Sequence, residues 1–180
     1  MSISDRNGRV FWTTAAVVVV LDVITKWLAA RSLTEHVPYE VVGNVARLTL
    51  AFNPGAAFSM WLGPYSRYIF GAFALVALVI LWRLYQATER GDTVRVLAVG
   101  LAWGGAAGNL IDRFHSPRGV VDFIDIGVGT VRFWTFNVAD SAVTVGALLL
   151  AFVLWKEDRR ALATAAAEAA ARDVAPFSTS

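Results

Sequence analysis

Asp112, Asp122 and Asp140 lie at or just inside the ends of apolar stretches long enough to cross a membrane. A carboxylate near hydrocarbon costs about 2.5–3.5 kcal/mol on insertion scales, so such residues usually face a protein interior or a water-filled cavity and act there. Two carboxylates in one cavity would share one proton. The ionised member can take a proton from water as the water attacks a peptide carbonyl. The protonated member can hydrogen-bond the oxyanion and then the leaving nitrogen, which is aspartic-peptidase chemistry. Asp140 is expected about six residues into the last apolar span, roughly 9 Å below its outer end.

Spacing leaves the partner of Asp140 open among Asp112, Asp122 and Asp125. Asp112, followed by Arg113 and preceded by Asn109, reads as an ion-paired, hydrogen-bonded cap on the third helix. Asp125 reads as water-facing. Asp22 and Lys26 share one helical face and read as a neutralising pair, with Lys26 snorkelling outward. A Ser141/Lys26 nucleophile is disfavoured, because helix neighbours point about 100° apart and a cavity-facing Asp140 turns Ser141 away. A serine/histidine site is weaker still, since His115 has no obvious buried serine partner and no Gly-x-Ser-x-Gly elbow exists.

These residues need elements to hold them. The chain is 57% hydrophobic and 17% charged over 180 residues, which leaves too few polar residues to cover a soluble domain. It reads as an integral membrane protein. Spans of roughly 20 apolar residues are expected at about 10–30, 68–85, 94–111 and 134–155. Arg6 and Arg9 resemble the start of a secretory signal, but the apolar run continues past Lys26, so the first span reads as a retained anchor. Nine Lys/Arg fall on the side of the termini against six on the other, which puts both termini in the cytoplasm. Trp12, Trp27, Trp82, Trp134 and Trp155 fall near span ends, as interfacial anchors do.

The basic residues form no dense run, so nucleic-acid binding is not expected. Cysteine is absent, which excludes thiol nucleophiles, disulfides and thiolate metal sites. The first outer loop carries Val-rich segments with turn signals at Val42-Gly43-Asn44 and Asn53-Pro54-Gly55, predicting a small β-structure on the membrane surface. Periodicity in the second outer loop, 112–133, is too ambiguous to name an element. The run Gly104-Gly105-Ala106-Ala107-Gly108 reads as a surface for close helix packing. Residues 1–160 read as one membrane domain. The Ala-rich tail, 161–180, is expected to be helical over 161–171, with Glu168 and Arg172 four apart, until Pro176 stops it.

Five ordered segments resemble the lipoprotein signal peptidases, the bacterial type II signal peptidases. They are Asp22-Val-Ile-Thr-Lys26, Asn53-Pro-Gly55-Ala-Ala-Phe58, Gly104-Gly-Ala-Ala-Gly108-Asn109-Leu-Ile-Asp112-Arg113, Val121-Asp122-Phe123 and Phe136-Asn137-Val-Ala139-Asp140-Ser141. The resemblance covers roughly residues 10–155. It implies an all-α membrane fold of four helices with a small extracytoplasmic β-cradle. It implies a catalytic dyad of Asp122 and Asp140. Asn53, Gly55, Asn109, Asp112, Arg113, Asn137 and Ala139 would bind substrate or support the site, and Asp22 and Lys26 would shape it. It implies a prolipoprotein substrate whose diacylglyceryl-cysteine lies in membrane lipid, cut just before that cysteine. No metal or organic cofactor is implied, the location is the bacterial inner membrane with the site facing outward, and a monomer is the default. Two other classes compete: a proton-coupled carrier relaying through Asp22, Lys26 and Asp140, and a non-catalytic assembly or lipid-binding protein.

Overall fold

The computed structural model describes residues 3–55 and 62–174; residues 56–58 of the second motif and Pro176 lie outside the described residues. Four helices form: α1 (Ile3–Ser32), α2 (Ser66–Gln86), α3 (Thr93–His115) and α4 (Val138–Val174). All four are long and apolar enough to cross a membrane. Between them lie β1 (Tyr39–Val42), β2 (Ala46–Asn53), β3 (Val120–Val128) and β4 (Val131–Arg132), joined in sequence order into one antiparallel sheet. The expected four helices and small β-structure are therefore present.

Helix α3 is the centre of the bundle, packing against α1, α2 and α4. Half of its apolar window is buried, against 11% for that of α2. Small residues make this possible, because lipid supplies no hydrophobic drive and close backbone approach must substitute. A Cβ on Gly104 would lie 2.9 Å from the Ala15 carbonyl oxygen of α1, and one on Gly105 only 2.3 Å from the Ala139 carbonyl oxygen of α4. At the end of the bundle that holds the chain's N-terminus, Phe11 is fully buried among Val96, Val99 and the rings of Trp82, Tyr85 and Trp103. There Asn7 Nδ2 donates to the Glu89 carbonyl in the α2–α3 turn, and the Asp92 side chain caps α3 by accepting from Arg95 N at 3.0 Å.

The opposite end carries the sheet. Asn44, within the predicted turn, follows Gly43 at φ 46°, which an L side chain rarely adopts. The second outer loop holds the longest strand, β3, pairing Asp122 with Ala51 and Val120 with Asn53. Its residues 120–123 are all buried, so it lacks the alternation that marks a half-exposed strand. The span boundaries also differ from expectation. Residues 134–137 precede α4 and are extended, with Phe136 and Ile124 exchanging backbone hydrogen bonds at 2.8 and 3.0 Å, so the last helix starts at Val138. Asp140 therefore sits in the first helical turn and not 9 Å below the helix end. The Ala-rich tail continues α4 without a break as far as Val174.

Replacing Gly105 with Ala forces its Cβ onto the α4 backbone, and overpacking of this kind costs about 1–3 kcal/mol. Thermal unfolding in detergent will show a clear loss for Gly105→Ala. Gly71→Ala, whose Cβ meets only Leu110 Cδ1 at 4.0 Å, will unfold close to wild type.

Candidate active site

The site forms where α3 ends, α4 begins and β2 and β3 cross above them. A cavity of about 810 Å³ opens there, walled by Phe133, Trp134, Phe136 and Val143 and floored by Asn53, Asn109, Arg113, Asp122 and Asp140. Asp122 and Asp140 face this one space from different elements, a strand and a helix N-terminus.

Asn137 is the N-cap of α4 and Asp140 its third residue. Asn137 Oδ1 accepts from Asp140 N at 2.9 Å, and Asp140 Oδ2 accepts from Asn137 N at 3.2 Å. This reciprocal pair satisfies two backbone donors that a helix start leaves orphaned. A third, Ala139 N, donates to Asp22 Oδ1 of α1 at 2.9 Å. Two carboxylates thus sit at the positive end of one helix dipole, where negative charge is favoured. The signal was in the sequence as Asn-x-x-Asp before an apolar run, and the span placement obscured it.

Three asparagines join the two candidate carboxylates. Asn137 Nδ2 donates to Asp122 Oδ1 at 2.7 Å, Asn109 Nδ2 donates to Asp140 Oδ1 at 2.8 Å, and Asn53 Nδ2 reaches Asp122 Oδ2 at 3.3 Å. Asn137 and Asn109 are themselves bonded at 3.1 Å. Burial, and then the neighbouring Asp140 charge, push Asp122 up to about 7, against the downward pull of the Asn53 and Asn137 hydrogen bonds.

Other expectations need correcting. Lys26 does not snorkel: it is 3% exposed, lying 2.6 Å from Asp22 Oδ2 and 3.0 Å from Asp112 Oδ2. A buried cation so paired would lose both partners by reaching for the surface. Asp112 does not pair with Arg113; besides Lys26 it accepts from Val121 N at 3.0 Å, holding β3 to α3. Arg113 turns to two carbonyls, Asn109 O at 3.0 Å and Gly55 O at 2.9 Å, tying α3 to the end of β2. Asp125 is not water-facing. It is 8% exposed and gripped by Arg47, Arg132 and Thr49. Burial works to raise Asp125, but these partners outweigh it and hold the carboxyl below its ordinary range. Ser141 donates back to Asn137 O at 3.0 Å and is not among the residues lining the cavity. Ala139 is fully buried where Gly105 and Gly108 approach α4.

Fold and site together define a multi-pass membrane protein with a cavity that two carboxylates face. The model of the family described as signal peptidase (SPase) II matches residues 14–156, and the chain belongs to that family, a family of peptidases. The lipoprotein signal peptidase of Desulforapulum autotrophicum is 44% identical over 144 residues, covering 77% of this chain and 86% of that protein. That of Geobacillus kaustophilus is 42% identical over 143 residues, covering 78% and 88%. A solved bacterial membrane enzyme superposes with a TM-score of 0.75 at 30% identity, covering 82% of this chain and 88% of that one.

Because Asp122 is raised in the folded state from the usual 3.8, the folded protein holds a proton there that the unfolded chain releases. The stabilisation is complete below about pH 3.8 and is lost as pH rises through about 7. Asp122→Asn, which cannot ionise, will therefore gain thermal stability relative to wild type between pH 6 and pH 8, measured by unfolding in detergent across ~pH 5–8.

Proposed function

We propose that the chain is an aspartic endopeptidase of the bacterial inner membrane that removes the signal peptide from diacylglyceryl-modified prolipoproteins, cutting just before the lipid-modified cysteine. The observation that carries this reading is the convergence of Asp122 and Asp140, from separate elements, on one cavity at the end of the bundle. Family membership and the name of its relatives support the substrate class.

In this reading Asp140 is the base. Both of its oxygens accept from N–H donors, Asn109 Nδ2 and Asn137 N, which fix the carboxyl facing the cavity. Asp122, more buried and raised towards neutrality, carries the shared proton. Water held between them loses a proton to Asp140 as it attacks the scissile carbonyl. Asp122 hydrogen-bonds the oxyanion, and the proton on Asp140 then passes to the leaving nitrogen. The apolar wall of Phe133, Trp134 and Val143 suits a lipid-bearing substrate and excludes bulk water.

Arginine placement supports both termini in the cytoplasm. The sheet and cavity would then face outward as an extracytoplasmic cradle, at the depth where a lipid-modified cysteine is anchored. A single copy supplies every residue of this scheme, in keeping with a monomer.

Purified protein in detergent will cleave a diacylglyceryl-modified prolipoprotein. Asp122→Asn and Asp140→Asn, at matched folded amounts, will each lose about a hundredfold or more in rate, while Asp112→Asn cleaves at a reduced rate. Cleavage by either dyad variant at the wild-type rate would refute the assignment. Peptides placing a hydroxyl where the tetrahedral intermediate forms will inhibit wild type, since the site is complementary to that state; full activity at saturation would count against the dyad.

A further inference from the structure

The three site asparagines present their N–H groups, and not their carbonyls, to the carboxylates. A carboxamide has a donor end and an acceptor end of nearly the same shape, so something must choose the orientation of each. The choice is made at the oxygen end by a group that can only donate. For Asn53 it is Gly55 N at 3.0 Å, and for Asn137 it is Asp140 N at 2.9 Å. For Asn109 it is two side chains: Lys26 Nζ donates to Asn109 Oδ1 at 2.9 Å and Asn137 Nδ2 does so at 3.1 Å, and of the two only the Lys26 ammonium has no acceptor end to present instead. An ammonium has three donors and no acceptor, so the flipped amide would set N–H against N–H in a buried space. Asp22 and Asp112 hold the ammonium in place from its other sides.

We propose that Lys26 is a positioning residue for catalysis: its buried ammonium fixes the orientation of the Asn109 amide, which in turn delivers an N–H to Asp140. This rests on the dyad reading and goes beyond charge compensation of Asp22. A compensating cation would matter for folding alone. A positioning cation matters for the chemical step, and it acts through Asn109.

The test is a double-mutant cycle on Lys26 and Asn109, with kcat and KM measured per folded molecule on a diacylglyceryl-modified prolipoprotein. Lys26→Met is expected to lower kcat by about tenfold or more with KM within about threefold of wild type. In an Asn109→Ala background the same substitution is expected to change kcat by less than about threefold, because the link it acts through is gone. A kcat within threefold of wild type for Lys26→Met, whatever its thermal stability, overturns the proposal. Equal losses in the two backgrounds overturn it also. Where Lys26→Met fails to fold, Asp22→Asn/Lys26→Met removes a buried carboxylate with the cation and is read against Asp22→Asn by the same criteria. Asp122→Asn and Asp140→Asn in the same assay separate the two ideas: wild-type rates there defeat the dyad, whereas inactive dyad variants with an additive Lys26 effect defeat only the positioning role.

Discussion

Charge held inside a membrane bundle must be compensated where it sits, and around Lys26 this protein does so with one ammonium and two carboxylates. Breaking a buried pair by removing one partner typically costs about 3–5 kcal/mol, because the survivor is left uncompensated. Asp22 and Asp112 come from α1 and α3, and each has a second bond that reaches further. Asp22 caps the start of α4 through Ala139 N, and Asp112 holds the start of β3 through Val121 N. One ion cluster therefore fixes the relative positions of two helices, the N-terminus of a third and the strand that carries Asp122.

That cluster could not close without the small residues of α3. Gly108 leaves room for the Asp22 carboxylate, which a Cβ would approach to 2.6 Å. Gly104 and Gly105 bring α1 and α4 to within backbone distance of α3. The glycine and alanine run is thus a condition for the polar network and not only a packing surface, since a wider helix spacing would leave Asp22 short of the α4 backbone.

The sheet does the complementary task from outside the bundle. Ion pairs from Arg47 and Arg132 to Asp125 bind β2 and β4 to β3. Arg118 lies over the Phe52 ring and pairs with Glu35, fastening the loop before β3 to β2 and to the chain leaving α1. A strand fixed on both sides presents Asp122 with little freedom, which is what the acid/base role proposed for it requires.

Much of this was legible in the sequence, and for physical reasons. Apolar length alone gives four membrane helices, the turn glycine at 43 gives the first hairpin, and the cost of carboxylates near hydrocarbon points to Asp112, Asp122 and Asp140, with Asp122 preferred as the partner of Asp140 only through the family resemblance. The capping pair Asn137-x-x-Asp140 was also readable, being local. The partner of each charge was not. Lys26 looked like a snorkelling cation because its own helix offers only Asp22, while Asp112 and Asn109 arrive from 83 or more residues away. Asp112 and Arg113 looked paired because they are adjacent, yet each finds a better partner across the fold. Strand β3 was hidden because burial on both faces erases alternation. Sequence by itself determined which residues must leave water and which could do chemistry. The tertiary structure decided which charges meet, because ion pairs and amide orientations depend on distances that only the packing of α1, α3, α4 and β3 sets.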